Sequence, residues 1–278
     1  MNRPSVAQNV LQYLALAAYM IFLGLPLLWL ASTSFKSAPE LVALTPTLLP
    51  INPTLDNFRV ALGVGQLPRA LVNSFTVALS TAILTTLIAV PASYALSRYR
   101  TKLRNGAVAW ILVSQLFPFI LLVIPLFILL RAVGLYNSLP GLVVVYITWS
   151  LPFTLWMLMG YVSSIPRELE EAAAADGASR FTTLRSIIWP LLAPGVVATG
   201  MFAFISAWNE FFFALVMIQS PELQTAPLLL ARYVGAEGQV RVGPLSAMAV
   251  LTTVPSLALF AVAQRKLVAG LLAGSVKG

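Results

Sequence analysis

Cysteine and histidine are both absent from the 278 residues. Without cysteine there is no disulfide framework and no thiolate metal site. Without histidine the commonest metal ligand and acid–base catalyst is missing as well. No catalytic centre and no metal site is expected. Charge is scarce too. Only 9% of the residues are charged, against about 25% in a soluble globular protein. With a hydrophobic content of 59%, that scarcity excludes a soluble fold. The G-x-x-x-x-G-K-[ST] pattern is also missing, so the chain has no phosphate cradle for ATP. Gly235-Ala236-Glu237-Gly238 is a glycine pair in a loop and reads as a turn.

What is present is apolar sequence in long runs. A membrane-spanning helix needs roughly 20 mostly apolar residues. Six stretches qualify: residues 10–31, 71–96, 107–130, 139–162, 191–218 and 244–263. The fold class expected is all-α, a polytopic protein of six transmembrane helices forming a single domain over residues 1–278. The first run is longer than a signal-peptide core and no A-x-A site follows it, so it reads as an anchor that is kept. Residues 32–69 hold Pro39, Pro46, Pro50, Pro53 and Pro68. Proline lacks an N–H donor and resists helix continuation, so this reads as an ordered external loop with a short helix near residues 55–62. Pro118, Pro125, Pro152, Pro194 and Pro255 fall inside the spans. A membrane helix tolerates them where neighbours satisfy the freed carbonyl, and they provide kinks.

The net charge of +8 bears on orientation and not on nucleic acid, which is not an expected partner. With an even number of spans both termini share a side. If that side is the cytoplasm, it carries Arg3, Arg98, Arg100, Lys102, Arg104, Arg167, Arg180, Arg185, Arg265, Lys266 and Lys277, eleven of the seventeen basic residues. Lys36, Arg59, Arg69, Arg131, Arg232 and Arg241 then lie outside, with Arg131 snorkelling to the interface. The positive-inside rule favours this arrangement.

It also places residues 166–190, PRELEEAAAADGASRFTTLRSIIWP, in the cytoplasm. This is the one long polar interval there. Pro166 suits a first helical turn, and Glu168, Glu170 and Glu171 are favoured near a helix amino end. Ala172–Ala175 continue the helix with a thin side face that a partner can approach. Asp176-Gly177 is a turn signal. Ser179 can cap a second helix, whose apolar side would be Phe181, Leu184, Ile187 and Ile188. Pro190 marks entry into the fifth span. Taken alone, such a segment is also compatible with a linker lying on the membrane surface.

The order of residues adds a resemblance. Glu171-Ala172-Ala173, three residues, Gly177, nine residues, then Ile187-Ile188-Trp189-Pro190 resembles the EAA loop of the membrane subunits of bacterial ABC importers. Trp189 stands where that motif usually has leucine. The tail from Gln264, QRKLVAGLLAGSVKG, and Ala207-Trp208-Asn209-Glu210-Phe211 resemble the carbohydrate-transporter permease subfamily typified by the smaller maltose permease subunit.

The resemblance implies a permease subunit of the bacterial inner membrane, not an enzyme. It implies a second related permease, a dimer of ATPase subunits carrying ATP and magnesium, and an extracytoplasmic sugar-binding protein as partners. It implies that Glu171, Ala172, Ala173, Asp176, Gly177, Ile187 and Pro190 form the coupling to the ATPase, and that the C-terminal tail extends to the ATPase interface. The cargo implied is a carbohydrate, of di- or oligosaccharide size, with a glycerol phosphate or another polyol as variants.

Glu210 is the one acid well inside an expected span, and an intramembrane ionisable group is a functional candidate. With Trp208 and Asn209 it offers stacking and hydrogen bonds to a sugar. Bonding between helices is the other open role for Asn209 and Glu210. Asn73, Ser114, Gln115 and Tyr146 are weaker path candidates, since polar groups commonly bridge membrane helices. Phe211, Phe212 and Phe213 point in three directions and cannot form one stripe. A reading from another class is a stand-alone ion-coupled secondary transporter using Glu210 as its coupling carboxylate.

Overall fold

A computed structural model describes residues 6–63, 66–99, 102–236 and 241–275. The described residues are helical, with no strand among them. In order they form α1 (Val6–Phe35), α2 (Ala38–Leu41), α3 (Asp56–Gly63), α4 (Leu67–Arg98), α5 (Lys102–Leu116), α6 (Val123–Ala132), α7 (Leu139–Ser164), α8 (Glu168–Ala175), α9 (Arg180–Thr183), α10 (Trp189–Trp208), α11 (Phe212–Met217), α12 (Ala226–Ala236) and α13 (Val242–Ser275). The all-α, multi-pass class expected from the sequence is what the chain adopts. Two compact units divide it, Met1–Pro68 with Leu230–Val254, and Arg69–Leu229 with Pro255–Gly278.

Among the described residues five helices are long and apolar enough to cross a membrane, and α5 with α6 makes a bent pair that passes the same test together. The sequence reading treats residues 107–130 as one span. The chain instead turns by 99° between α5 and the segment beginning at Phe119, and a 3₁₀ turn over Phe119–Leu122 leads into α6. Pro118 sits at the corner. Its missing N–H and its clash with the preceding turn end α5.

The fifth span differs in the other direction. Helix begins at Arg180, well before the boundary expected at Pro190, and runs to Trp208. A π-turn over Leu184–Ile188, with the Trp189 N–H donating to the Leu184 carbonyl, shifts the hydrogen bonding by one residue just ahead of Pro190. Such a bulge carries a helix past a residue that cannot donate. The carboxyl end is shorter than expected, because the helix stops at Trp208 and α11 restarts at Phe212.

In the first unit, α1 presents nearly all of its apolar side chains at the surface. Its last turn is different: Ser32, Thr33, Ser34 and Lys36 are buried. The Lys36 ammonium donates to the Thr47 carbonyl and lies 4.3 Å from the Trp29 ring centroid. Asn57 Nδ2 donates to the Ser34 and Lys36 carbonyls at 3.0 and 2.8 Å. Glu40 accepts from the backbone N–H groups of Ile51 and Asn52. The proline-rich loop is therefore ordered by side-chain-to-backbone bonds. It contains the short helix expected there, α3, and one not foreseen, α2.

In the second unit α4, α7 and α10 pack on one another. One apolar cluster includes Val77, Leu142, Val145, Tyr146, Phe204, Trp208, Phe213 and Met217. A second includes Ala89, Val90, Leu158, Val162, Ile165, Ile188 and Leu192. Lipid tails are as apolar as leucine, so helix association relies on close packing and small residues. Gly195 on α10 faces Tyr161 of α7 so closely that a Cβ there would fall 2.6 Å from Tyr161 Cγ. Between α4 and α7, Thr85 Oγ1 and Ser150 Oγ are hydrogen-bonded at 3.1 Å, both buried.

Gly195→Val should therefore destabilise the protein by about 1–3 kcal/mol through overpacking, seen as a lower thermal midpoint in detergent. Gly160→Ala, with nothing within 4 Å of the added Cβ, should hold or raise that midpoint.

Candidate coupling site

Residues 166–190 form two short helices joined by a tight turn. The first, α8, starts at Glu168 with Glu168, Glu170 and Glu171 in its first turn. Pro166 lies two residues ahead of it, outside the first turn where the sequence reading placed it. The turn after α8 satisfies three of its last carbonyls. Asp176 N–H bonds to Ala172 O, Gly177 N–H to Ala174 O at 3.1 Å, and Ala178 N–H to Ala173 O at 2.9 Å. The last two are the paired bonds of a Schellman cap, which requires a left-handed residue just past the helix. Gly177 supplies it with φ of 80°. Nothing lies within 4 Å of a Cβ built on Gly177, so a side chain there meets open space in this chain and only the backbone conformation resists it. Ser179 caps α9, its hydroxyl accepting from the Thr182 N–H at 3.2 Å.

The loop is fixed to α4 through Glu170. Its carboxylate pairs with the Arg98 guanidinium and accepts from the Tyr94 hydroxyl at 2.7 Å. Arg98 also donates to the Ile165 carbonyl at 2.8 Å. One arginine at the end of α4 thus holds the end of α7 and the first turn of α8. The two side chains are only 8% and 18% exposed, so this is a nearly buried pair and not a screened surface contact. Arg180 extends the arrangement, with its guanidinium over Tyr99 at 5.7 Å and a 3.4 Å bond to the Tyr99 hydroxyl. A shallow cavity of about 290 Å³ lies here, lined by Tyr94, Arg98, Arg167, Glu170, Glu171 and Arg180 among others.

The three acids in the first turn of α8 do not all face outward. Glu170 is instead engaged within the chain. Glu168, Glu171 and Asp176 are exposed, with no ion pair among the described residues. Ala172, Ala174 and Ala175 are exposed and Ala173 is buried, so the thin face of α8 is open. On the second helix Ile188 is fully buried, Leu184 and Ile187 are half-buried, and Phe181 is 70% exposed. Pro190 is exposed, in the first turn of α10. Glu171, Ala172, Asp176 and Gly177 thus lie on one accessible segment, whereas Ile187 and Pro190 lie on the helix that follows.

The path candidates fare differently. Glu210 is not inside a helix; it lies in the break between α10 and α11. Its carboxylate accepts from the N–H groups of Phe213 and Ala214 at 2.9 and 3.3 Å and from the Tyr146 hydroxyl at 2.6 Å. Asn209 is exposed and donates to the Ile205 carbonyl. Trp208 is buried, stacked on Phe204 at 5.7 Å. Glu210 thus reaches α7 through Tyr146, whereas the Asn209 bond stays within the end of its own helix, α10. Asn73 bonds the Glu222 and Gln224 carbonyls, both at 2.9 Å. Ser114 bonds the Ile111 carbonyl. Gly238 and the charges Arg3, Arg100 and Lys277 fall outside the described residues.

Two features were missed from the sequence. The Arg98–Glu170 pair spans 72 positions, and no local pattern signals it. Asn137, at φ 51°, accepts from the N–H groups of Gln219 and Ser220 and ties two loops together. An asparagine after a glycine-containing turn was the available hint.

Comparison with known proteins accords with this geometry. Residues 86–271, well over half of the chain, match the family model described as the binding-protein-dependent transport system inner membrane component. The chain is 37% identical to a diacetylchitobiose uptake system permease protein of Streptomyces coelicolor, covering 94% of this chain and 95% of that one. It is 34% identical to a trehalose/maltose transport system permease protein of Thermococcus litoralis, covering 99% of each. Its fold is similar to a chain of a bacterial ABC transporter involved in the import of the acidic polysaccharide alginate, with TM-score 0.82, 20% identity, and coverage of 95% of this chain and 99% of that one. The chain is a transport permease subunit and no enzyme in its own right, and it belongs to the family of binding-protein-dependent transport system inner membrane components.

Proposed function

We propose that this chain is one of two related membrane subunits of an ATP-driven importer that carries a di- or oligosaccharide into the cytoplasm. Substrate class is supported by the relatives named for diacetylchitobiose and for trehalose/maltose. An extracytoplasmic binding protein delivers the sugar, and two copies of an ATPase subunit, holding ATP and magnesium, supply the energy. Both termini face the cytoplasm, as the distribution of basic residues favours.

The observation that carries the mechanical part is the exposed α8 face with its clamp behind it. Glu171, Ala172, Asp176 and Gly177 are accessible to a partner, while Glu170, next to Glu171, is fixed to Arg98. A partner that closes on ATP and moves α8 therefore pulls on α4 through Arg98 and on α7 through Ile165. Helices packed without slack shift between discrete arrangements and do not deform smoothly, so the spans switch between inward-open and outward-open forms. The ion-coupled alternative rested on a free Glu210. That carboxylate is occupied by two backbone N–H groups and the Tyr146 hydroxyl, and family membership argues for the importer.

Two measurements test this reading. Glu171→Arg and Gly177→Asp should leave membrane insertion intact while lowering sugar uptake and ATPase stimulation in the reconstituted complex by about tenfold or more, a loss of about 1.4 kcal/mol. Wild-type uptake in both variants would contradict the coupling role. Arg98→Ala strands a nearly buried carboxylate and should cost about 3 kcal/mol, whereas Arg98→Ala with Glu170→Ala should cost less. Thermal midpoints in detergent read the difference, and an additive pair of losses would show that the ion pair does not couple the helices.

A further inference from the structure

The structure places a second candidate for substrate contact away from Trp208–Glu210. A cavity of about 430 Å³ lies where α5 ends at its 99° corner and faces the middle of α7. Trp110, Ser114, Gln115, Phe119, Thr148 and Trp149 are on its wall. The volume is within the range of about 300–1,000 Å³ that small-molecule sites occupy. Along both helices it lies well away from the chain's entry into the apolar run. Leu116 stands about 18 Å along the helix from Arg104, and Trp149 about 15 Å from the start of α7 at Leu139, at 1.5 Å per residue. A hydrocarbon core is about 30 Å thick.

Non-helical backbone at membrane depth persists only where it is buried in protein or lines a watered cavity. Two prolines sharpen the point. Pro118 has no N–H to offer the Ser114 carbonyl, and Pro152, inside α7, has none for the Thr148 carbonyl. Both carbonyls left without their helical donor belong to residues on the wall of this one cavity. The Gln115 amide is exposed and has no hydrogen-bond partner among the described residues. Trp149 is 40% exposed and Trp110 is 75% exposed. Phe119 packs on Trp149 at 3.9 Å and on Phe213 at 4.2 Å, which fixes the Trp149 ring from one side.

We propose that this cavity is a carbohydrate subsite built by this chain's own residues. The Trp149 and Trp110 rings take the apolar face of a sugar ring, the Gln115 amide bonds its hydroxyls, and the freed Ser114 and Thr148 carbonyls accept from them. A ligand with many hydroxyl donors matches a wall whose Ser114 and Thr148 carbonyls lack their usual helical donor, beside aromatic faces. An acyl chain would leave those carbonyls and the amide unsatisfied. This proposal rests on the carbohydrate reading above and adds the place at which this subunit contacts the cargo.

The test uses the complete importer in proteoliposomes, with this chain, its partner permease, the ATPase and the binding protein. Uptake of diacetylchitobiose, trehalose and maltose is measured for wild type, Gln115→Leu and Trp149→Leu, together with ATP hydrolysis in the absence of sugar. Gln115 makes no internal bond among the described residues, so its replacement leaves the fold in place. Gln115→Leu should lower uptake of the imported sugar about tenfold, the size of one hydrogen bond, while sugar-free ATP hydrolysis stays at the wild-type level. Trp149→Leu should lower uptake at least as much. Wild-type uptake in both variants would overturn the subsite and leave the carbohydrate reading standing. A loss of uptake matched by an equal loss of sugar-free hydrolysis would assign these residues a structural role and also overturn it. A wild-type complex that imports none of the three sugars would overturn the carbohydrate reading itself, and the subsite with it.

Discussion

Inside a hydrocarbon layer every backbone N–H and C=O must find a partner within the protein, and this constraint accounts for several of the polar side chains in an otherwise apolar chain. At several helix ends a side chain takes up the loose backbone groups. Glu210 serves the first N–H groups of α11. Asn73 serves the carbonyls of Glu222 and Gln224 ahead of α12. Asn137 serves Gln219 and Ser220 after α11. Arg98 serves Ile165 at the end of α7. In these four cases a polar side chain bonds the backbone at a helix end or beside one. The cavity at the α5 corner is different, because there two prolines leave carbonyls for which the helices provide no donor.

The same arginine links that accounting to function. Arg98 ends α4, closes α7 and pairs with Glu170 on α8, so one side chain joins the α8 loop to two of the three helices at the centre of the second unit. Burial makes the pair costly to leave half-made, and that makes it stiff. The outward residues of the same helix are small or free: Ala172, Ala174, Ala175 and Glu171. A loop held on one side and open on the other suits a part that another protein pushes.

Much of this was legible in the residues. Runs of about 20 apolar residues announce membrane helices by length alone, and Gly177 in its left-handed position and Ser179 at its cap follow from turn and cap chemistry acting over four or five residues. The EAA spacing named the family. What failed did so for physical reasons. Pro118 was seen, but a proline permits a kink or a full corner, and only packing against α7 decides between them. Pro190 read as a boundary, yet a π-turn carries the helix through it. Glu210 read as a residue inside one continuous helix because a hydropathy run does not show a three-residue break. Glu170 and Glu171 are neighbours with opposite roles, and the difference lies in Arg98, 72 positions away.

The central claim is that the exposed face of α8 is where the ATPase engages. The chain has no native cysteine, so a single Ala175→Cys substitution on that face introduces the only thiol. With a single cysteine placed in the docking cleft of the ATPase subunit, oxidative cross-linking in the assembled complex tests the contact directly. The account predicts a cross-linked product between the two chains whose yield changes when ATP is added. No product in a complex that still transports sugar, or labelling of that cysteine from the external side by a membrane-impermeant maleimide, would contradict it.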